Sequence, residues 1–252
     1  MGANINTTKS RPREILAVIA NPSVSTTIGG PVGFWASELT HAYYEFVESG
    51  YKVTLASPNG GKCELDEFSD PRHPSGYSAH DLISMGFIHT PKLWGLVENT
   101  KSLEGVKITD FDAIYVAGGQ SPMFTFKKEP RLYQLIAGFY EAEKPTAVVC
   151  HGTAALLDVK LSDGTFLIKG KTMTGFANSE EDFADSYVSQ LIGKPIHVMP
   201  FRIEDEAKKL GANFITGGLF KPFAVRDGRL ITGQQQYSGA LAAKLVIEAL
   251  GV

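Results

Sequence analysis

The sequence predicts an α/β fold in which helices cover both faces of a mostly parallel sheet. Short continuous apolar runs, typical of strands buried on both faces, alternate along the chain with segments whose apolar residues recur at helical spacing. The chain has 252 residues, of which 43% are hydrophobic and 20% charged. A chain of this size and composition can bury a large core.

The first predicted unit is a strand, a helix and a second strand. Residues 15–20 form a continuous apolar run that Asn21-Pro22 ends. Apolar residues at helical spacing then cover residues 34–49, and Gly50 closes this helix. Residues 53–57 predict the next strand, which stops at a Pro-Asn-Gly-Gly turn.

Residues 58–106 interrupt the alternation. They are rich in Pro, Gly, Ser, Asp and His, with weak helical patterning only around Leu82 to Val97. Such a segment is too long for a plain connection, so we expect a cap-like or dimer-facing insertion. We expect one domain over residues 1–252, with residues 1–12 as a disordered leader.

The second half of the chain returns to the alternation and shows no repeat or linker. Its predicted elements are a strand at 113–117, a helix around 132–140, a strand at 147–150, helices near 185–192 and 202–210, a strand at 230–232 and a terminal helix at about 238–250.

Composition excludes several classes of function. Lys and Arg number 24 against 27 Asp and Glu. The chain therefore lacks the excess of basic residues that is typical of nucleic-acid-binding proteins. The longest apolar runs are too short to span a membrane. The absence of a signal sequence, with only two cysteines in dissimilar contexts, predicts a cytoplasmic protein with free thiols. The six histidines never fall at a zinc-binding spacing, so we expect no metal.

The most informative segment is Ala-Val-Val-Cys-His-Gly at Ala147 to Gly152. It predicts a buried strand that turns sharply into a helix with Cys150 at the turn. The amino end of that helix would favour the thiolate, so we expect a lowered pKa for Cys150 and a dispensable Cys63. An inert core cysteine is the alternative, and the adjacent His151 makes it less favourable.

Two further features join this cysteine. Gly118-Gly119 end a predicted strand, where glycines let backbone N–H groups approach an oxyanion, although an ordinary turn is the alternative. Glu38 lies three residues after Trp35 and four before Ala42, beside the apolar stripe of its helix. It is either a boundary carboxylate reaching water or a carboxylate in a dry pocket, able to act as a general acid or base.

Together these motifs resemble the ThiJ/PfpI superfamily, whose fold is similar to class I glutamine amidotransferases. Within it the chain resembles the branch of heat-shock chaperones and glutathione-independent glyoxalases. Supporting segments are residues 171–176, Glu180-Glu181, and residues 200–205 and 227–234. The resemblance implies a flavodoxin-like three-layer sandwich with a cap-like insertion.

The resemblance also implies roles for individual residues. Cys150 would be the nucleophile, His151 its imidazole partner, and Glu38 the carboxylate that contacts the thiol. Glu181 would orient His151, with Glu180 as the alternative because a one-residue alignment slip would exchange the two.

Substrate-binding groups are implied at Gly118, Gly119 and Gln120, with His151 contributing its backbone N–H; the backbone donors map to Gly119 and His151. Relatives in this branch usually continue Gly-Gly with His-Gly, whereas this chain has Gln120-Ser121-Pro122, which alters the pocket wall. Glutaminases of this fold use a late His-x-Glu. Here the only late histidine, His197, is followed by Val-Met, so we expect it to be structural.

The function implied by the resemblance is that of a glyoxalase III-type enzyme. It would convert methylglyoxal or a related 2-oxoaldehyde to a hydroxy acid through a Cys150 hemithioacetal, as a homodimer without metal, glutathione or cofactor. The alternatives are a stress-response holding chaperone or cysteine redox sensor, and a cysteine hydrolase (peptidase, amidase or deglycase) or isonitrile hydratase.

Overall fold

An eight-stranded, mostly parallel sheet forms the centre of the computed structural model, which describes residues 13–251. The predicted leader, residues 1–12, lies outside the described residues. Helices cover both faces of the sheet. The predicted α/β architecture is therefore confirmed.

Twelve strands and eight α-helices lie within the described part of the chain. The strands are β1 (Glu14–Val18), β2 (Ser23–Val24), β3 (Pro31–Val32), β4 (Lys52–Ser57), β5 (Asn59–Gly61), β6 (Thr100–Ser102), β7 (Ala113–Val116), β8 (Thr146–Val149), β9 (Thr172–Met173), β10 (Asn213–Phe214), β11 (Ala224–Asp227) and β12 (Leu230–Gly233). The helices are α1 (Ala36–Glu48), α2 (Leu82–His89), α3 (Pro91–Glu98), α4 (Ser121–Thr125), α5 (Pro130–Glu141), α6 (Asn178–Ile192), α7 (Ile203–Lys209) and α8 (Gly239–Ala249).

The order of strands in the central sheet is β11-β12-β8-β7-β1-β4-β6-β5. The six inner strands pair in parallel, while β11 and β5 pair antiparallel at the two edges. The sequence pattern does not predict these two edge strands. Both are short, and β11 is mostly half-buried, so neither contains the continuous apolar run that marks an inner strand.

Strand β1 shows how one apolar run serves both layers of the core. Leu16 and Val18 belong to the cluster packed on the α5 face, whereas Ile15 and Ala17 belong to the cluster packed on α1 and α8. Successive side chains of a strand point to opposite faces, so a strand covered on both sides must be apolar throughout.

The segment 58–106 lies against one edge of the sheet. It contributes β5 and β6, and β6 pairs in parallel with β4. The weak helical pattern around Leu82 to Val97 corresponds to two short helices, α2 and α3, separated at Thr90 before Pro91. No helix within residues 13–251 is long and apolar enough to cross a membrane.

Helix α6 begins at Asn178, earlier than the sequence pattern indicates. Its first turn therefore contains Glu180 and Glu181, which are both buried. Two buried acidic residues do not register as an apolar stripe, which is why the periodicity alone misplaces the start of this helix.

Candidate active site

Cys150 occupies a strained turn at the carboxyl end of β8. Its φ is 56°, a left-handed conformation that is uncommon for a residue with a side chain. Two residues after Cys150, only glycine fits, because a Cβ on Gly152 would lie 2.9 Å from the Ala117 carbonyl oxygen. The helix expected after the turn is present as a 3-10 helix over Cys150–Leu157.

Glu38 lies in the first turn of α1, where it is completely buried. Its Oε2 accepts a hydrogen bond from the Gly118 N–H at 2.6 Å, and the Tyr115 hydroxyl donates to its backbone carbonyl at 2.7 Å. Oε1 has no nitrogen or oxygen partner among the described residues, and the carboxyl contacts the Cys150 thiol. The interpretation of Glu38 as a boundary carboxylate reaching water is therefore wrong.

Burial raises the pKa of Glu38 to about 8. The charged form loses its hydration, and the hydrogen bonds from the Cys150 thiol and the Gly118 N–H offset only part of this loss. A carboxyl that titrates close to neutral pH can both take and return a proton, as general acid–base catalysis requires.

Gly118 does not have the oxyanion-binding role that the sequence suggested for the Gly118-Gly119 pair. The Gly118 N–H binds Glu38, because a buried carboxyl needs a donor, so Gly118 does not supply an oxyanion contact. Gly119 has a φ of 105°, and a Cβ there would lie 2.5 Å from the Trp35 nitrogen. The pair brings the end of β7 against the start of α1.

The expected lowering of the Cys150 pKa is wrong. Complete burial raises the pKa of this thiol well above its ordinary value, and the neighbouring Glu38 charge raises it further. The His151 backbone N–H acts in the opposite direction but is a smaller effect. Desolvation of a buried thiolate thus outweighs the favourable end of a short helix.

His151 lies between the thiol and a second carboxyl. Its Nδ1 is 3.9 Å from the Cys150 Sγ, and its Nε2 is 3.0 Å from Glu181 Oε1. Since a carboxylate can only accept, Nε2 carries a hydrogen and donates it to Glu181, while Nδ1 faces the sulfur. The Phe176 ring stacks on the imidazole at 4.0 Å between centroids and fixes its plane.

Glu180 makes a separate set of contacts. It accepts hydrogen bonds from the Ala177 N–H at 3.0 Å, the Gln234 side-chain amide at 2.8 Å and the Phe220 N–H at 3.0 Å. The structure therefore places Glu181, and not Glu180, against His151. Neighbouring residues on a helix point about 100° apart, which gives the two glutamates different partners.

Asp66 is a buried residue at the site that sequence reasoning missed. It accepts from the Gln120 backbone N–H at 3.0 Å and from the Gln120 side-chain amide at 2.9 Å. Burial raises the pKa of Asp66 to about 6. Asp66 belongs to segment 58–106, and its burial depends on the bridge between Phe34 and Leu65, which no local pattern reveals.

Cys150, His151 and Gln120 line a cavity of about 130 Å³. The rest of its lining is largely apolar, and its rings come from Trp35, Phe68, Tyr77, Phe176, Phe183, Tyr187 and Phe220. Gln236 also lines it and donates a hydrogen bond from its side-chain amide to the Tyr77 hydroxyl at 3.3 Å. The reactive groups thus lie together in an otherwise apolar cavity.

The remaining candidates lie outside this cavity. His197 is exposed and pairs with Asp185 at 2.7 Å, and it does not line the cavity beside Cys150. Cys63 is a free, buried thiol whose pKa is raised by burial. Within residues 13–251, no cluster of three or more His, Cys, Asp or Glu side chains could hold a metal ion.

The flavodoxin-like sheet, with a cysteine in the strained turn after β8, defines a class of cysteine-dependent α/β enzymes. Within that class, the chain belongs to the DJ-1/PfpI family, whose model matches residues 95–248. Glu38 lies before the matched segment, so its place in the site rests on its contacts with Gly118 and Cys150.

Relatives along most of the chain carry more specific names. A Schizosaccharomyces pombe protein named "Probable glutathione-independent glyoxalase hsp3103" is 29% identical over 88% of this chain and 92% of its own length. The Saccharomyces cerevisiae glutathione-independent glyoxalase HSP31 is 28% identical over 94% of this chain and 97% of its own. The solved structure of the Francisella tularensis Rapid Encystment Protein 24 kDa superimposes with a TM-score of 0.83 at 28% identity, covering 95% of this chain and all of that one.

Proposed function

We propose that this protein is a glutathione-independent glyoxalase that converts methylglyoxal or a related 2-oxoaldehyde into a 2-hydroxy acid. The observation that carries the proposal is the contact between the buried Glu38 carboxyl and the Cys150 thiol beside an apolar cavity. The names of relatives that align over most of the chain support it.

The first step is addition of the thiol to the aldehyde. The Cys150 Sγ forms a bond to the aldehyde carbon while Glu38 accepts the thiol proton through Oε1. The carbonyl oxygen receives that proton, and a hemithioacetal results. Because the pKa of Glu38 is about 8, the carboxyl can accept and release this proton near neutral pH.

The second step moves hydrogen between two substrate carbons. The Glu38 carboxylate, free of its proton again, removes the hydrogen from the former aldehyde carbon, and the oxygen of the adjacent carbon gains a proton to give an enediol. Glu38 then returns a proton to the adjacent carbon while the hydroxyl group on the sulfur-bearing carbon loses its proton, and a thioester of the hydroxy acid with Cys150 results. The Gly118 N–H holds Oε2, which leaves Oε1 without a nitrogen or oxygen partner among the described residues and free to carry the proton.

The third step is hydrolysis of the thioester. The Nδ1 of His151 accepts a proton from water as the water attacks the acyl carbon, and Cys150 leaves as the thiol once that proton is returned. Glu181 holds the imidazole through Nε2, and the Phe176 ring restrains its plane. The backbone N–H groups of Gly119 and His151 are the proposed oxyanion donors.

A steady-state assay of lactate formation from methylglyoxal, with and without glutathione, tests the proposal. Equal rates in both conditions are expected, with loss of two or more decades in kcat for Glu38→Gln, the scale usual for a missing acid–base group. Cys63→Ser is the matched control and should turn over normally. A wild-type protein that forms no lactate would contradict the proposal.

The unit that performs this chemistry is proposed to be a single domain, with residues 58–106 as an insertion that completes the active site. Asp66, Phe68 and Tyr77 of that segment reach the catalytic cavity or its wall, which supports this view.

We also propose a cytoplasmic homodimer. Two free cysteines fit a reducing compartment, and light scattering on the purified protein would test the dimer.

A further inference from the structure

The cavity beside Cys150 is far more aromatic than methylglyoxal requires. The apolar part of methylglyoxal is a single methyl group, and one small pocket would accommodate it. Here rings from four separate parts of the chain converge on the cavity: the start of α1, segment 58–106, the residues around α6 and the loop before β11. Such a lining favours a ligand with a polar reactive head and a bulky apolar remainder.

Three of these rings form a wall that runs outward from the catalytic imidazole. Phe176 stacks on His151 at 4.0 Å, Phe220 lies 6.5 Å from Phe176, and Phe183 lies 5.2 Å from Phe220 with its ring at a steep angle. The wall ends at the surface, where Phe183 is 47% exposed. An apolar group attached to a carbonyl at Cys150 would lie along this wall.

The backbone at Phe220 is strained to place its ring in the wall. Its φ is 49°, an outlier for a bulky residue, which a loop normally avoids by using glycine. The buried Glu180 carboxylate holds this conformation by accepting the Phe220 N–H at 3.0 Å. Glu180 therefore shapes the cavity wall, while Glu181 beside it orients the catalytic histidine.

Gln234 anchors the rest of the same loop. Its Oε1 accepts from the Gly217 N–H at 2.8 Å, and its amide donates to the Gly218 carbonyl at 2.9 Å and to Glu180 at 2.8 Å. Both Gln234 and Glu180 are completely buried. The ring of Phe220 is thus positioned by a closed network of hydrogen bonds before any ligand arrives.

We propose that the wall of Phe176, Phe183 and Phe220 binds the substituent of the substrate, so that the preferred substrates are 2-oxoaldehydes with an aromatic ring or similarly bulky apolar group. This inference rests on the proposed glyoxalase function and names its substrate class. Apolar contact with a remote substituent strengthens binding throughout the reaction. The preference for bulky substrates should therefore appear mainly as a lower KM and less as a higher kcat.

The test compares phenylglyoxal with methylglyoxal. The wild type is expected to show a kcat/KM about tenfold higher for phenylglyoxal, mainly through a lower KM. Phe220→Gly removes the ring, and glycine adopts the left-handed backbone without strain, so the fold should persist. This variant and Phe183→Ala should lose the preference, while Leu219→Ala, an exposed neighbour outside the cavity lining, should retain it.

The outcomes distinguish failure of the proposed aromatic wall from failure of the proposed glyoxalase function. Turnover of methylglyoxal with no preference for phenylglyoxal, or an equal loss of preference in Leu219→Ala, overturns the wall assignment and leaves the glyoxalase proposal standing. Turnover of neither compound overturns the glyoxalase proposal. In that case alkylation of Cys150 by iodoacetamide and by N-phenyl iodoacetamide, each relative to free cysteine, still reports on the wall. Selective acceleration of the phenyl reagent supports it, and equal relative rates contradict it.

Discussion

The backbone N–H of Gly118 donates to Glu38 Oε2 at 2.6 Å, and this bond fixes the carboxyl that contacts Cys150. The loop after β7 and the first turn of α1 are thereby joined through a backbone group and not through a side chain. A Cβ at Gly118 would lie 2.8 Å from both the Gly152 nitrogen and the Val149 carbonyl oxygen, and 2.9 Å from Oε2. The arrangement of Glu38 beside the Cys150 turn depends on the absence of that single carbon.

Gly118→Ala should therefore impair catalysis without unfolding the protein. The added methyl group pushes the β7 loop away from Glu38 and the cysteine turn, and a displacement of about 1 Å can cost roughly 100-fold in rate. Steady-state kcat for 2-oxoaldehyde turnover and the thermal midpoint are the measurements. Gly30→Ala is the matched control, because nothing lies within 4 Å of a Cβ there. Equal activity of the two variants would refute the role of Gly118.

Buried Glu38 should make wild-type stability depend on pH. Its pKa rises from 4.5 to about 8 on folding, so the folded state retains a proton that the unfolded state releases. The contribution of Glu38 to the free energy of unfolding is fully present below pH 4.5. It falls by on the order of 5 kcal/mol as the pH rises from there through about 8. Glu38→Gln stays neutral and avoids this loss.

Urea unfolding at several pH values between 5 and 9 measures the difference. The free energy of unfolding of Glu38→Gln relative to wild type should grow from pH 5 to pH 8 and then level off. Glu104→Gln replaces an exposed glutamate and should show no such trend. A constant difference across the range would show that Glu38 is ionised in the folded protein.

Much of this site could be predicted from residue patterns close together in the chain. The strand run before Cys150 and the helical spacing around Glu38 both survive in the structure, because buried strands and amphipathic helices leave local periodicities. The position of Glu38 beside the apolar stripe also indicates its proximity to the core. Its complete burial is set by β7 and α8, which pack on α1 from distant parts of the sequence.

What sequence reasoning missed depends on contacts between distant segments. The raised pKa of Cys150 follows from burial depth, which a strand-end motif does not encode. Asp66 and Phe220 come from loops without periodicity, and their positions are set by hydrogen bonds to Gln120 and Glu180. Helix-end electrostatics alone predicts the wrong direction for the thiol, because desolvation is the larger effect here.

Removal of the Glu38 charge should make Cys150 easier to ionise. The carboxylate is the main charged neighbour that raises the pKa of this thiol, so Glu38→Gln should lower the pH midpoint of its alkylation. Iodoacetamide rates between pH 6 and pH 10, measured in a Cys63→Ser background, report on Cys150 alone. The same midpoint with and without Glu38, or a higher one in Glu38→Gln, would mean that the two groups do not interact.

Replacement of the nucleophile should separate enzyme from chaperone. Holding unfolded clients requires exposed apolar area, which this protein presents at Leu82 (76% exposed) and Leu191 (63% exposed), whereas turnover requires the thiol. Cys150→Ala should abolish 2-oxoaldehyde turnover and leave any suppression of client aggregation unchanged, with Cys63→Ala unchanged in both assays. Light scattering of a heated client protein and lactate formation are measured on the same preparations. If Cys150→Ala loses both activities while its thermal midpoint is unchanged, the thiol itself takes part in client binding, and this result favours the redox-sensor alternative over separate catalytic and holding roles.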